Sequence, residues 1–175
     1  MTPHWSTSPE ELQGWFAGRL PADWFEGPPD VQSDRDEILV VGRLAEPDLP
    51  SDAAADTAAA ARASRIAGFR EDTRARRMRI ADEAERRFGR KVSWGASCGD
   101  QTAHFTTLSA PAMTRLRLPE RRVLDTLVEA GVARSRSHAL AWCVRLVAER
   151  QDDWLKDLRG ALESVEKVRS EGPKD

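Results

Sequence analysis

The chain has 175 residues, 40% apolar and 32% charged, enough for one ordinary domain or two small ones. No apolar run approaches the roughly 20 residues of a membrane span. The start, MTPHWSTSPEE, lacks the basic and apolar stretches of a signal peptide, so a cytoplasmic protein is expected. The net charge of −2 conceals a polarity, because residues 1–61 carry three arginines against twelve acids, whereas residues 62–91 carry eleven basic residues against five acids. An acidic head beside a basic middle suits a chain that offers one part to a polyanion. The plainer reading is a set of solvated helix faces.

The first element is announced by Ser8-Pro9-Glu10-Glu11, with Ser at the N-cap, Pro in the first turn and Glu at the third position. A short helix to about Phe16 follows, with Gly18 as its stop. Trp15-Phe16-Ala17-Gly18 is echoed nine residues later by Trp24-Phe25-Glu26-Gly27. Four large rings in acidic, Pro-rich surroundings are expected to pin a loop to a core. The alternative is a linear motif that docks on a partner protein.

Asp36 to Gly42, short and β-branched, reads as a strand. Ala45 to Asp56 reads as a linker. From about Ala58 to Phe88 one long helix is expected, on Ala and Arg content and the helical spacing of Ile66, Phe69, Ile80, Ala84 and Phe88. The cluster Arg74, Arg76, Arg77 and Arg79 spreads around that helix. Lys91 to Gly95, a turn at Cys98-Gly99-Asp100, and His104 to Leu108 then form a β-hairpin, joined with the Ile38–Val41 strand into a small α+β unit.

The last third carries the most specific pattern. Met113-Thr114-Arg115-Leu116-Arg117-Leu118 alternates, placing Leu116 and Leu118 on one face and Met113, Arg115 and Arg117 on the other. Pro119 opens a helix to Ala130 with Val123, Leu124, Leu127 and Val128 as its stripe, and Gly131 ends it. Ser135 caps a second helix with an apolar face of Ala139, Leu140, Cys143, Val144, Leu146 and Val147. This helix continues past Asp152-Asp153 through Trp154, Leu155, Leu158, Leu162 and Val165.

This order resembles the ribbon-helix-helix repressors and related antitoxins, over about forty residues. Its most specific parts are Leu124 to Gly131 and Ser135-Arg136-Ser137-His138-Ala139-Leu140. The resemblance implies an intertwined homodimer whose paired strands read bases of double-stranded DNA. Met113, Arg115 and Arg117 would face the groove, and Arg134, Ser135 and Arg136 would hold phosphate. The spacing from Pro119 to Leu124-Asp125 is about two residues shorter than in the family pattern. The ribbon therefore also fits at Pro111 to Leu116, a register that keeps Met113 and Arg115 outward but not Arg117. Two alternatives stay open: a helix hairpin in which residues 112–118 are helical, and a helix-turn-helix whose second helix enters the groove.

Cys98 and His104 stand six apart with no second ligand pair nearby, and Cys143 falls on an apolar face. No phosphate-binding Gly loop, paired-carboxylate motif or serine elbow is present. No cofactor, metal or enzymatic activity is expected. The fold class is α+β and mainly helical, in three segments: 1–57, acidic and Trp/Phe-rich; 58–110, a basic helix plus hairpin; and 111–170, a ribbon-helix-helix-like dimerisation module. The function is a dimeric DNA-binding regulator of bacterial type. The alternative is an adaptor that dimerises through its C-terminal helices and docks a partner through the Trp-Phe segment.

Overall fold

A computed structural model describes residues 7–50 and 52–171. The described residues form two units, dividing after Pro111. The boundary expected near residue 57 is internal to the first unit, because the helix that follows it packs on the sheet.

Helix α1 (Pro9–Arg19) starts as expected. The Ser8 hydroxyl accepts from the Glu11 N–H at 3.1 Å. The helix runs through Gly18 and stops at Leu20, whose extended backbone leaves the helix while its N–H still reaches Phe16 O. Strand β1 (Asp30–Ser33) was not expected from the sequence; it is short and lies at the sheet edge. It pairs antiparallel with β2 (Glu37–Arg43). In the turn between them, the Asp34 carboxylate accepts the N–H groups of Asp36 and Glu37, each at 2.8 Å. Both bonds favour the charged form and hold the Asp34 carboxyl below the usual carboxylate range.

The single long helix expected to follow is two helices, α2 (Ala55–Asp72) and α3 (Arg74–Phe88). The interruption is Thr73. The Thr73 hydroxyl donates to Phe69 O at 2.5 Å and accepts from Arg77 Nε at 2.9 Å, a bond back to the preceding turn that bends a helix. Gly89, in the left-handed region at φ +68°, ends α3. A hairpin is present but displaced: β3 (Lys91–Cys98) runs three residues past the expected Gly95, the turn is Gly99-Asp100, and β4 (Gln101–His104) ends at the residue where the second strand was expected to begin. β3 lies parallel to β2, with Val40 opposite Trp94 and Gly42 opposite Ala96, so the sheet order is β1-β2-β3-β4.

That register sorts the side chains. Ile38, Val40, Trp94, Ala96 and Cys98 share one face and are buried. Leu12 and Phe16 from α1, Ile66 from α2, and Ile80, Ala84 and Phe88 from α3 cover them. The echoed rings close this core. Trp15 meets Phe16 and Phe88 edge-on at 4.8 and 5.5 Å. Trp24 meets Phe69 at 5.5 Å, and Phe25 tilts on Phe69 at 5.3 Å. Phe25 packs against Gly42, where a Cβ would come within 2.1–2.3 Å of the ring. Arg77 is buried in the same layer, its guanidinium 4.8 Å from the Phe105 ring centroid and donating to Arg70 O at 2.6 Å. Burial beside Arg70 and Arg74 lowers its pKa.

In the second unit, α4 spans Leu118–Glu129, α5 Arg136–Arg150 and α6 Asp152–Glu171. α4 ends as Gly131 predicts. At φ +74°, Gly131 donates to Val128 O and Val132 donates to Leu127 O, the two bonds of a glycine-terminated Schellman cap. The second helix does not run on unbroken. Gln151 leaves the helical region at φ −124°, and Asp152 and Asp153 fill the first turn of a new helix, where acids suit the N-terminal dipole. Leu124, Ala133 and Ala139 make the small buried centre, with Leu116, Leu127, Val128, Leu140 and Cys143 around it.

Candidate nucleic-acid interface

The segment leading into α4 is neither helix nor paired strand. Residues 106–117 have no regular secondary structure, so a helical 112–118 is not what the chain adopts. Arg117, the N-cap of α4, is extended at φ −81° and ψ 175°. Pro119 accounts for part of this, since it biases the residue before it away from the helical region and suits a first turn. Leu118, expected on a strand face beside Leu116, instead opens α4 and is 60% exposed. Leu116 turns inward against the buried centre. Its carbonyl accepts from Arg121 Nη1 at 2.7 Å, which fastens the end of the segment to the first turns of α4. Met113 is 98% exposed, and Arg115 and Arg117 are exposed.

The second group of expected residues sits at the start of α5. The Ser135 hydroxyl accepts from the His138 N–H at 3.2 Å, and His138 Nδ1 accepts from the Arg134 N–H at 3.3 Å. This closes the turn and leaves the Arg134 side chain exposed. Arg136 is differently engaged. Its Nε and Nη2 donate to the two carboxylate oxygens of Asp125 at 2.6 and 2.7 Å, a fork-to-fork pair from α5 back to α4. The pair lowers the Asp125 pKa and raises that of Arg136, in both cases chiefly through the shared hydrogen bonds. Arg136 is thus first a strut that fixes the α4–α5 angle, and a phosphate must compete with Asp125 for it. Arg121, Asp125 and His138 also hold this region together, none of them expected in that role: Arg121 and His138 bond residues five and four positions away, and only Asp125 reaches its partner across the folded turn.

Large apolar side chains of this unit stay outside its centre: Val123, Val144 and Val147 on α4 and α5, and a stripe on α6. On α6 the exposed Trp154, Leu158, Ala161, Val165 and Val168 are spaced alternately four and three residues apart, along one side of the helix. Among the described residues no group of acids, cysteines and histidines could hold a metal ion, and no helix is long and apolar enough to cross a membrane.

Two family patterns match the chain, and their limits follow the two units. Residues 10–104 match the Rv1265-like protein, N-terminal domain, and residues 117–169 match the Mb1296 C-terminal domain. The chain belongs to the Rv1265-like family. It is 55% identical over 160 residues to protein Rv1265 of Mycobacterium tuberculosis (strain ATCC 25618 / H37Rv) and to protein Mb1296 of Mycobacterium bovis (strain ATCC BAA-935 / AF2122/97). The match covers 91% of this chain and 69% of each relative. No solved structure matches it.

Proposed function

We propose that this chain is a dimeric DNA-binding regulator whose reading element is completed by a second copy. The observation that carries this is the state of the second unit. Among its described residues the second unit buries only Leu124, Ala133 and Ala139, while Val123, Val144, Val147 and the α6 stripe remain outside. So small a centre, even with the half-buried Leu116, Leu127, Val128, Leu140 and Cys143 around it, is a thin core for three helices, and a second copy offers a matching apolar surface. The extended entry segment fits the same reading. Leu116 faces the centre, Met113, Arg115 and Arg117 face away, and the backbone groups of this stretch are not used in a sheet. Two such segments related by a two-fold can pair antiparallel and enter a major groove with their arginines outward. Arg134, Ser135 and the first-turn N–H groups of α5 would then anchor phosphate on either side.

The adaptor alternative draws less support. It needs the Trp-Phe pairs on the surface, and all four rings pack in the core of the first unit. The test of the DNA reading is a selection for preferred duplex sequences with the full chain, repeated with Arg115→Ala. The expected outcome is a preferred site in the first case and loss of preference with residual salt-sensitive binding in the second. An unchanged preference in Arg115→Ala overturns the ribbon.

A further inference from the structure

Helices α1 to α3 cover one face of the four-stranded sheet, and the register defines the other. Across the open face, one row reads Arg43, Ser97, Thr102 and the next reads Asp30, Val41, Gly95, His104, with Gln32 and Leu39 in the row beyond and Pro28 at the rim. These side chains line an open depression of about 450 Å³ on the sheet, exposed to solvent along its length. Gly95 shapes its floor. A Cβ there would lie 3.0 Å from His104 Cδ2 and 3.2 Å from Val41 Cγ2, so the absent side chain lets the imidazole lie over the sheet beside Val41.

The charges on this face are unusual for their separation. Arg43 and Asp30 sit on adjacent strands one row apart, and among the described residues no ion pair joins them. Asp30 is held instead by Gln32 Nε2, which donates to its carboxylate at 2.7 Å. Arg43 stands in a row with two hydroxyls, Ser97 and Thr102. One corner therefore presents a guanidinium fork and two hydroxyl donors, the set that recognises a carboxylate. The neighbouring corner presents a carboxylate acceptor, and Leu39 and Val41 provide an apolar surface between.

We propose that this open face is a binding site for a small zwitterion of the α-amino-acid class, carboxylate on Arg43, Ser97 and Thr102, ammonium on Asp30, and side chain on Leu39 and Val41. A simple anion is disfavoured by Asp30 and a simple cation by Arg43; a ligand with both charges meets both. The site lies wholly in the first unit and does not depend on the DNA reading.

The test is an NMR titration of isotope-labelled full chain with the twenty L-amino acids, read at the amides of Arg43, Gly95, Ser97 and His104. At least one amino acid is expected to shift these signals saturably. Its carboxamide and its N-acetyl derivative, each lacking one charge, should bind about tenfold more weakly or worse. Arg43→Gln should abolish the preference for the acid over the amide, and Asp30→Asn the preference for the free amine; both side chains are exposed, so the fold is retained. No saturable shift with any amino acid overturns the proposal, as does equal binding of the charge-deleted derivatives. Shifts at these amides on dilution alone, with no response to amino acids, identify a second copy on this face and also overturn it.

Discussion

Gly42→Ala tests the packing of the first unit at its tightest point. The added Cβ would fall 2.1 Å from Phe25 Cε1, 2.2 Å from Cδ1 and 2.3 Å from Cζ, where carbon atoms in contact need about 3.5–4.0 Å. The ring must retreat by more than an ångström. Phe69 at 5.3 Å and Trp24 at 6.1 Å block its way, and β2 cannot yield because it is paired on both sides. Overpacking of this kind costs about 1–3 kcal/mol, less roughly 0.5 kcal/mol recovered because Ala is better than Gly in a strand. Urea denaturation should show the midpoint falling by roughly 1 M with the slope unchanged. The decisive comparison is a double-mutant cycle with Phe25→Ala. Without the ring the clash is gone, so Gly42→Ala should cost little or nothing in that background. The same cost with and without Phe25 would refute this account of the core.

Four further outcomes follow. Gly14→Ala, in the middle of α1 with nothing within 4 Å of the new Cβ, should stabilise the first unit by about 0.5–1 kcal/mol, visible as a higher melting temperature. Ser135→Ala removes the N-cap of α5 and should cost about 1 kcal/mol in helix stability, measured by thermal unfolding followed by circular dichroism, and should also weaken DNA binding. Asp125→Ala releases Arg136 and should tighten sequence-independent DNA binding while steepening its salt dependence, read by fluorescence anisotropy; weaker binding would show that Arg136 acts only as a strut. Asp34, whose folded pKa is depressed, contributes stability that is fully present above its unfolded pKa of about 3.9 and is lost as pH falls through the folded value. Urea midpoints between pH 5 and pH 3 should therefore fall less steeply in Asp34→Asn than in the parent.

Local signals were legible wherever one residue acts on its near neighbours in the chain. Ser8 and Ser135 cap their helices, Gly131 ends α4, and Glu37 to Arg43 is the strand its β-branched run suggests. What was not legible depends on the folded environment. β1, with its single β-branched residue Val31 behind two prolines, is a strand only because β2 offers an edge to pair with. Thr73 and Gln151 break helices in which nothing but hydrogen bonding to the neighbouring turn, or the preference of Asp152 and Asp153 for a helix start, marks the position. The Asp125–Arg136 pair spans eleven residues and exists only once the Gly131 turn folds α5 back. The open face of the sheet follows from strand order and register, neither of which the hydrophobic pattern states.

A titration of the full chain against a fluorescently labelled duplex between 50 and 300 mM salt tests the proposed DNA-binding dimer. With Arg134 of each of two copies on phosphate, and Arg115 and Arg117 on base edges, log affinity against log salt falls with a slope of about −2 or steeper. The account predicts that slope and two chains per site. Anisotropy that does not change at the lowest salt would contradict it.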